Sequence, residues 1–243
     1  MLSAKSLGKK GSKMMKIMLL LIFFVSITFA QSKNPDLILK NVKQEFNTVK
    51  DYVADIKIKV DVKVLKIPET RAKIYFKQPD KMHIESEGFA MIPRRGLDFS
   101  PTSLLKGKYS AFYQKEDFID GIKTAVVKVV PLEDNSNVIL STLWIDQNRN
   151  VIRKIESTTK TNGTFVVSLS YNNNYKYPLP DSLIFQFDMS RVDLAPKQSN
   201  DGSEKRGNNK KPATGMVGKV FITYSNYVIN KGIPDSIFKE KKQ

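Results

Sequence analysis

The 243-residue sequence contains no cysteine, a single histidine and a single tryptophan. Without cysteine the chain cannot form a disulfide framework, a zinc ribbon, an iron–sulfur cluster or a thiol nucleophile. A lone imidazole argues against a transition-metal site and against a catalytic centre built from several histidines. The composition is otherwise that of a globular protein, because 41% of the residues are hydrophobic and 26% are charged, which is too apolar for a disordered chain.

Acidic residues are scarce, with 24 Asp and Glu against 40 Lys and Arg, so the formal charge is +16 and the pI is about 9.7. A basic chain is attracted to anionic lipid and to other anionic surfaces of the cell envelope. The sequence has no RNP, zinc-finger or helix-turn-helix pattern that would point to nucleic acid. We therefore expect an anionic envelope surface as a partner and no nucleic acid, with solubility alone as the alternative meaning of the charge.

The first thirty residues have the layout of a secretory signal peptide. Five lysines precede the apolar run Ile17–Ala30, which is shorter than the ~20 residues of a spanning helix. Small residues at its end predict cleavage before Gln31, and an uncleaved signal anchor is the alternative. No cysteine follows the run, so lipid attachment is excluded, and Met14 or Met15 could replace Met1 as the start. Removing residues 1–30 takes away the five lysines and no acid, which lowers the formal charge from +16 to +11.

The predicted mature chain, residues 31–243, reads as one domain that begins with a helix. Asn34-Pro35 is typical of a helix start, because asparagine caps free N–H groups and proline suits the first turn. Apolar residues then recur at three- and four-residue spacing, which predicts an amphipathic helix from about 35 to 50. The stripe consists of Ile38, Leu39, Val42, Phe46, Val49 and Tyr52-Val53.

Alternation of apolar and charged residues follows, beginning with DIKIKVDVKV, and predicts strands with one buried and one solvated face. After strands around residues 55–64, 72–76 and 82–84, further strands are expected near 108–115, 122–130, 138–145, 151–158, 164–171, 182–189 and 217–229. About ten antiparallel strands after one helix indicate a strongly curved sheet or an open barrel in a mainly β, α+β protein. The strands near 122–130 and 138–145 are apolar on both faces, so we expect a helix over one face and core or ligand against the other.

Two segments interrupt this alternation of apolar and polar residues. Residues 88–107 contain glycine, proline and large apolar side chains and are predicted to form a loop with a short helix that starts at Ser100-Pro101. Residues 195–218 are polar and lack periodicity, which predicts a flexible insertion between the last two strands.

No arrangement of residues indicates catalysis, a metal or a cofactor. His83 alternates with apolar neighbours on the polar side of a strand, without a nucleophile motif to accompany it. Glu85 and Glu87 are best explained as a solvated strand face, and Asp146 with its neighbours as a hairpin turn and not a calcium loop. An exported hydrolase is the least supported of the function classes. A curved sheet with a helix can instead enclose an apolar cavity, with a filled core as the alternative.

Several stretches carry a family resemblance: ADIKIKVDVKV, IYFKQPDKMHIES, LWIDQNRNVIRKIES, YNNNYKYPLPDSLIFQF and ITYSNYVINKGIPDSIF. In this order, after a signal peptide and a helix, they resemble the LolA/LolB-like superfamily of outer-membrane lipoprotein-sorting proteins. The resemblance implies an unclosed antiparallel barrel with a helix and a loop lid over an apolar cavity. It further implies a carrier of acylated lipid or lipoprotein that is not an enzyme and needs no cofactor. The implied location is the periplasm of a Gram-negative-type bacterium, and the implied partners are an inner-membrane donor and an outer-membrane acceptor.

The sequence departs from the resemblance at two places. In the lipoprotein carrier an Arg that helps to hold the lid closed precedes the hairpin proline, whereas here Gln78 precedes Pro79. Glutamine can still hydrogen-bond to backbone carbonyls, but it lacks the charge of arginine and its five donors. The insertion at 195–218 is the second departure. A lipid sensor or a partner-binding module of the same fold is therefore the alternative to a carrier.

The candidate binding residues follow from the alternation. Those expected to line the lipid cavity are Ile56, Ile58, Val60, Val62, Ile74, Phe76, Met82 and Ile84. Those expected to form a mobile apolar lip are Phe89, Met91, Ile92 and Phe99.

Overall fold

The computed structural model describes residues 33–62, 67–86, 101–171, 176–188 and 217–239. Of the two units into which the chain divides, Asn34–Gln243 contains every helix and strand described below. The helices are α1 (Pro35–Phe46), α2 (Pro101–Leu104) and a 3-10 helix (Asp235–Phe238), and the strands are β1 (Asp51–Asp61), β2 (Thr70–Lys77), β3 (Lys81–Ser86), β4 (Tyr109–Ile119), β5 (Ile122–Pro131), β6 (Val138–Asp146), β7 (Val151–Thr159), β8 (Gly163–Ser170), β9 (Ser182–Asp188) and β10 (Val217–Ile229). None of the helices in the described ranges is both long enough and apolar enough to span a membrane.

Helix α1 begins at the predicted residue but ends before the predicted end. The Asn34 side-chain oxygen accepts hydrogen bonds from the Asp36 and Leu37 amides at 3.0 and 3.2 Å, which satisfies two of the free donors of the first turn. The predicted continuation to about residue 50 is wrong, because the helix ends at Phe46. Thr48, in the following turn, donates through its hydroxyl to the Glu45 carbonyl at 2.7 Å, a local bond that competes with the helical ladder.

The ten strands of the described residues form one antiparallel sheet in the order β3-β2-β1-β10-β9-β8-β7-β6-β5-β4. The two edge strands, β3 and β4, do not pair with each other, so the sheet is not closed into a barrel. Apolar side chains from one face of the strands nevertheless meet in one large core cluster, with a smaller one beside it that contains Phe46, Val49, Phe76 and Leu179, and this requires the sheet to curl strongly. The predicted unclosed, curved antiparallel sheet of about ten strands is therefore confirmed.

The hairpin turns follow from local chemistry. At the β4–β5 turn, Asp120 and Gly121 have φ angles of 49° and 76°, the left-handed conformation that aspartate and glycine tolerate best. The short helix predicted to start at Ser100-Pro101 is confirmed as α2. The predicted insertion at 195–218 lies outside the described residues except for its last two residues, which belong to β10.

The concave face of the sheet holds the core, and part of the convex face is also buried. Ile38, Leu39 and Val42 of α1 are buried in the core cluster against the concave face. On the convex face, Val126 of β5 is only 1% exposed, and its cross-strand neighbour is Trp144 of β6. The expectation of a helix over one face of this strand and core or ligand against the other stays a prediction for the convex face. Among the described residues, the Lys154 ammonium lies 4.2 Å from the centroid of the Trp144 ring on this side.

Candidate functional site

The candidate binding site is the concave interior of the sheet, which α1 closes. Helix α1 lies against α2, β4 and β7 and contributes Val42 and Phe46 to a small cavity. The cavity has a volume of about 60 Å³. Its lining residues come from both ends of the chain and from the middle: Val42, Phe46, Tyr52, Phe76, Met82, Pro101, Asn150, Val151, Ile152, Leu169, Tyr171, Pro178, Leu179, Pro180, Leu183 and Tyr224.

The structure places the eight predicted cavity residues on the concave side, but in two different environments. Ile56, Ile58, Val62, Ile74 and Phe76 are buried, and Val60, Met82 and Ile84 are half-buried. Phe76, which also belongs to the smaller core cluster, and Met82 line the cavity. Ile56, Ile58 and Ile74 pack in the large core cluster and do not border the cavity. The predicted lip residues Phe89, Met91, Ile92 and Phe99 lie outside the described residues, so their role stays a prediction.

Aromatic rings form one wall of the cavity. The ring centroids of Phe46 and Phe76 are 5.6 Å apart in an edge-to-face arrangement, and Tyr52 stacks on Phe76 at 5.2 Å. The Tyr227 hydroxyl donates to the Pro180 carbonyl at 2.7 Å and thereby holds the segment that provides Pro178, Leu179 and Pro180. Because these rings come from α1, β1 and β2, the wall depends on the position of α1.

Lys43 anchors α1 to the remainder of the site. Its ammonium donates to the Leu105 carbonyl, just after α2, at 2.8 Å and lies 5.3 Å from the centroid of the Tyr109 ring. A hydrogen bond from a charged donor to a carbonyl oxygen is stronger than one from a neutral donor. The sequence carries no local signal for this contact, because Lys43 lies off the apolar stripe and its partner is a backbone atom 62 residues away.

Gln78 makes the second connection between α1 and the sheet. Its side-chain amide donates to the Val49 carbonyl at 3.2 Å, and its backbone amide donates to the Lys50 carbonyl at 2.8 Å. Gln78 thus fastens the β2–β3 turn to the connection between α1 and β1. The capacity to bond backbone carbonyls, which the sequence analysis assigned to glutamine at this position, is used here.

A polar group lies at the other end of the cavity. The buried side chains of Asp146 and Arg153 form an ion pair, with 2.8 Å between Asp146 Oδ2 and Arg153 Nη2. Arg153 and Arg149 both lie near the ring of Tyr171, with Cζ–centroid distances of 5.7 and 5.5 Å. Burial raises the pKa of the Tyr171 hydroxyl well above its usual range, so the hydroxyl stays protonated and donates to the Ile152 carbonyl at 2.9 Å.

A cluster of three phenylalanines extends the apolar concave face along β8 and β9. The rings of Phe165 and Phe185 have centroids 5.4 Å apart, and Phe185 and Phe187 stack at the same distance. All three side chains are half-buried. The signal for them was available in the sequence, since Leu183, Phe185 and Phe187 alternate along β9.

The described residues offer little for catalysis. His83 lies on the convex face of the edge strand β3, paired with Tyr75, whose ring centroid is 5.9 Å away. Within the ranges that the structure describes, no group of three or more His, Asp or Glu side chains could hold a metal ion.

No known family model matches the sequence, and no curated protein matches it. Solved structures do match the fold. A LolA superfamily protein from Nitrosomonas europaea and a DUF1329 family protein from Desulfovibrio piger each have a TM-score of 0.56 and 12% identity, covering 85% of this chain and 97% of theirs. A domain from Vibrio parahaemolyticus, named as an outer membrane lipoprotein-sorting protein domain, has a TM-score of 0.52 and 11% identity, covering 85% of this chain and 98% of its own. The chain has the LolA-like fold, as the resemblance in the sequence implied.

Proposed function

We propose that the protein binds the acyl chains of a lipid or a lipoprotein in the concave interior of its sheet. The observation that carries the proposal is the cavity beside α1, whose walls are mainly apolar and which continues a concave face of apolar side chains. Burial of methylene groups supplies the binding energy, at about 0.8 kcal/mol for each group. Twelve buried methylenes give roughly 10 kcal/mol before ordering costs. Micromolar binding corresponds to roughly 8 kcal/mol, so it requires either small ordering costs or more than twelve buried methylenes.

The volume of the cavity sets a condition on this function. A water molecule occupies about 30 Å³ of liquid, and a cavity of about 150 Å³ holds one benzene molecule. The space of about 60 Å³ beside α1 is therefore too small for an acyl chain. Binding requires α1 to move away from the concave face, so we propose that α1 is the movable cover of the site.

The half-buried phenylalanine cluster of Phe165, Phe185 and Phe187 supports the same proposal. Core side chains of this size are normally buried completely, because each contributes a large apolar area. On the concave face of β8 and β9 these three rings keep part of their surface accessible. They can extend the contact surface for a chain that is longer than the cavity beside α1.

The predicted signal peptide and the basic charge give the proposed setting. Export would bring the protein to the periplasm, where its positive charge favours contact with anionic membrane surfaces. There we propose that it carries acylated cargo from an inner-membrane donor to an outer-membrane acceptor. The signal peptide at residues 1–30, the single domain at 31–243 and the two membrane partners remain predictions.

Two neighbouring residues of β3 provide a matched test of binding. Met82 lines the cavity on the concave side, and His83 lies on the convex side of the same strand. In delipidated protein we expect a fluorescent apolar probe to bind saturably and a long-chain fatty acid to displace it. Met82→Lys should weaken the binding of the fatty acid at least about tenfold, because the new ammonium either loses its hydration or keeps the acyl chain out of the cavity. His83→Lys should leave the affinity for the fatty acid unchanged.

The outcomes separate a carrier from the alternatives. Equal displacement by folded Met82→Lys and by the unaltered protein would remove the cavity from the site. If the folded, unaltered protein bound neither probe nor fatty acid, the carrier proposal would fail, leaving a filled-core protein that acts as a partner-binding module.

A further inference from the structure

The concave side chains of β9 become more accessible along the strand. Leu183 is buried and lines the cavity beside α1, whereas Phe185 and Phe187, the next two residues on the same face, are half-buried. At a rise of about 3.3 Å per residue, Phe187 lies about 13 Å from Leu183 along the strand. One strand therefore connects the cavity with the phenylalanine cluster.

The strands on both sides of β9 carry similar side chains at this end. Phe165 of β8 lies opposite Phe187, and Val220 of β10 lies opposite Phe185. Val60 of β1 in turn lies opposite Val220. These five side chains are all apolar and half-buried. Among the described residues of the four strands, no polar side chain interrupts this part of the concave face. A partly accessible apolar surface thus extends from the cavity toward the ends of four strands.

A continuous apolar surface of this kind favours an apolar partner, because accessible apolar patches mark binding sites more often than scattered apolar residues do. The surface begins at the cavity, so the far part of the acyl chain that enters the cavity is the partner that continuity favours. No polar side chain here could bind a head group, so the methyl end of the chain lies on this surface. The proposed movement of α1, whose Leu39 belongs to the same core cluster as Leu183, would open the way along the strand.

The distance along β9 sets the length of chain that can use this surface. A fully extended chain advances about 3.3–3.6 Å for every three bonds, so roughly eleven methylenes cover the distance from Leu183 to Phe187. We propose that the phenylalanine cluster holds the methyl end of the acyl chain, and that the protein selects chains longer than about twelve carbons. This inference rests on the proposed acyl-chain binding and adds the chain length to it. A shorter chain occupies the cavity but does not reach Phe187.

The test compares four saturated fatty acids: decanoic, dodecanoic, tetradecanoic and hexadecanoic acid. The Kd of each for delipidated protein is measured by displacement of the fluorescent probe, after the Kd of the probe itself has been determined for every variant. A fully buried methylene strengthens binding about fourfold. Because the carbons beyond the twelfth reach the cluster, we expect a gain of about two- to fourfold for each added methylene through hexadecanoic acid.

Phe187→Ser removes one ring of the cluster, and Ile184→Ser makes a comparable change at a half-buried position on the convex face of the same strand. We expect Phe187→Ser to weaken the binding of hexadecanoic acid about tenfold and to leave the binding of decanoic acid unchanged. Ile184→Ser should change neither affinity. Val60→Thr, which replaces one methyl group of the surface by a hydroxyl, should show the same pattern on a smaller scale and takes the place of Phe187→Ser if that variant does not fold.

The results distinguish this inference from the proposed function. If the affinity of the unaltered protein stopped rising beyond dodecanoic acid, the selection by length would be overturned and acyl-chain binding would stand. A folded Phe187→Ser variant that weakened all four acids equally, or none of them, would overturn the role of the cluster, as would an equal effect of Ile184→Ser. A lower Tm with unchanged binding would assign the rings to a contact within the protein. If none of the four acids displaced the probe, the proposed function and the inference that rests on it would both fail.

Discussion

Removing the ammonium of Lys43 should make the protein bind acyl chains more tightly while making it less stable. In the closed structure Lys43 donates to the Leu105 carbonyl at 2.8 Å and lies over the Tyr109 ring. If α1 must leave the concave face before a chain can enter, every contact that exists only in the closed form opposes binding. Lys43→Met keeps most of the apolar stem and deletes both charged contacts.

The size of the effect follows from those two contacts. A hydrogen bond from a charged donor contributes about 1.5–3 kcal/mol, and a cation–π contact at an exposed site contributes about 0.5–1 kcal/mol. Lys43 is half-buried, so water replaces part of both contacts when α1 opens, and we expect a net loss of about 1–2 kcal/mol. A loss of about 1.4 kcal/mol raises the population of the open form tenfold, and the apparent Kd falls by the same factor as long as the open form is rare.

The assay combines probe displacement by palmitic acid with thermal unfolding followed by circular dichroism. The control is Lys40→Met, which makes the same change at an exposed position of the same helix. We expect Lys43→Met to bind palmitic acid roughly five- to thirtyfold more tightly and to melt at a lower temperature. Lys40→Met should show neither change.

The reasoning would be refuted by a variant that melts earlier and binds palmitic acid no better than the unaltered protein. Such a result would mean that Lys43 stabilises the fold but does not oppose binding, so α1 would not be the cover of the site. Tighter binding by Lys40→Met as well would attribute the effect to net charge instead of to the Lys43 contacts.

Three further predictions address the fold. Asp146→Asn should lower the free energy of unfolding in urea by about 3–5 kcal/mol, because it leaves the buried Arg153 charge without its partner; a loss no larger than that of the exposed Asp134→Asn would contradict the ion pair. Hydrogen bonds from the Trp144 indole, the Lys115 ammonium and the Phe118 amide together lower the pKa of Asp117 to about 2. The stabilising charge of Asp117 is therefore present above the usual value of 3.8 and is lost only as the pH falls toward 2. The fluorescence of Trp144, the sole tryptophan in the sequence, should therefore stay constant from pH 5 to about 3, and a midpoint near 4 that is absent in Asp117→Asn would disprove this assignment. Deleting residues 197–214, which lack apolar anchors in the sequence, should change the Tm little, and a large decrease would show that this segment packs.

The elements whose signals are local could be predicted from the sequence. The start of α1 depends on Asn34 and Pro35, which are adjacent, and the capping bonds form within three residues. The strands follow from alternation with a period of two, and the β4–β5 turn follows from Asp120-Gly121. Their boundaries agree with the structure to within a few residues, because each signal lies in the same short segment as the element that it determines.

The features that depend on tertiary contacts could not be predicted. The end of α1 at Phe46 depends on the turn that follows, where the Asn230 side-chain amide donates to the Thr48 carbonyl at 2.8 Å from 182 residues away. Tertiary contacts also determine which buried side chains of the concave face border the cavity. Ile58 and Phe76 have the same alternating pattern and are both buried, yet Phe76 lines the cavity and Ile58 does not. Which of the two side chains borders the cavity depends on the position of α1, and no local sequence pattern determines that position.

Two of the contacts that fasten α1 also indicate how it would move. Gln78 holds the Val49 carbonyl, beyond the C-terminal end of the helix, with a neutral hydrogen bond, while Lys43 holds the last turn of the helix with a charged one.

Toward the N-terminus, Leu37 is 54% exposed, and the side-chain bonds of Asn34 are made to the helix itself. Both tethers therefore act near the C-terminal end, whereas the first turns are held mainly by the burial of Ile38 and Leu39. An apolar chain can replace that burial without an energetic penalty for unpaired polar groups, since its methylenes bury the same kind of surface. In the first turns the proposed exchange of α1 for cargo is thus an exchange of one apolar partner for another. The Lys43 contacts are the polar ones that must break, and Gln78 keeps the helix attached through its connection to β1.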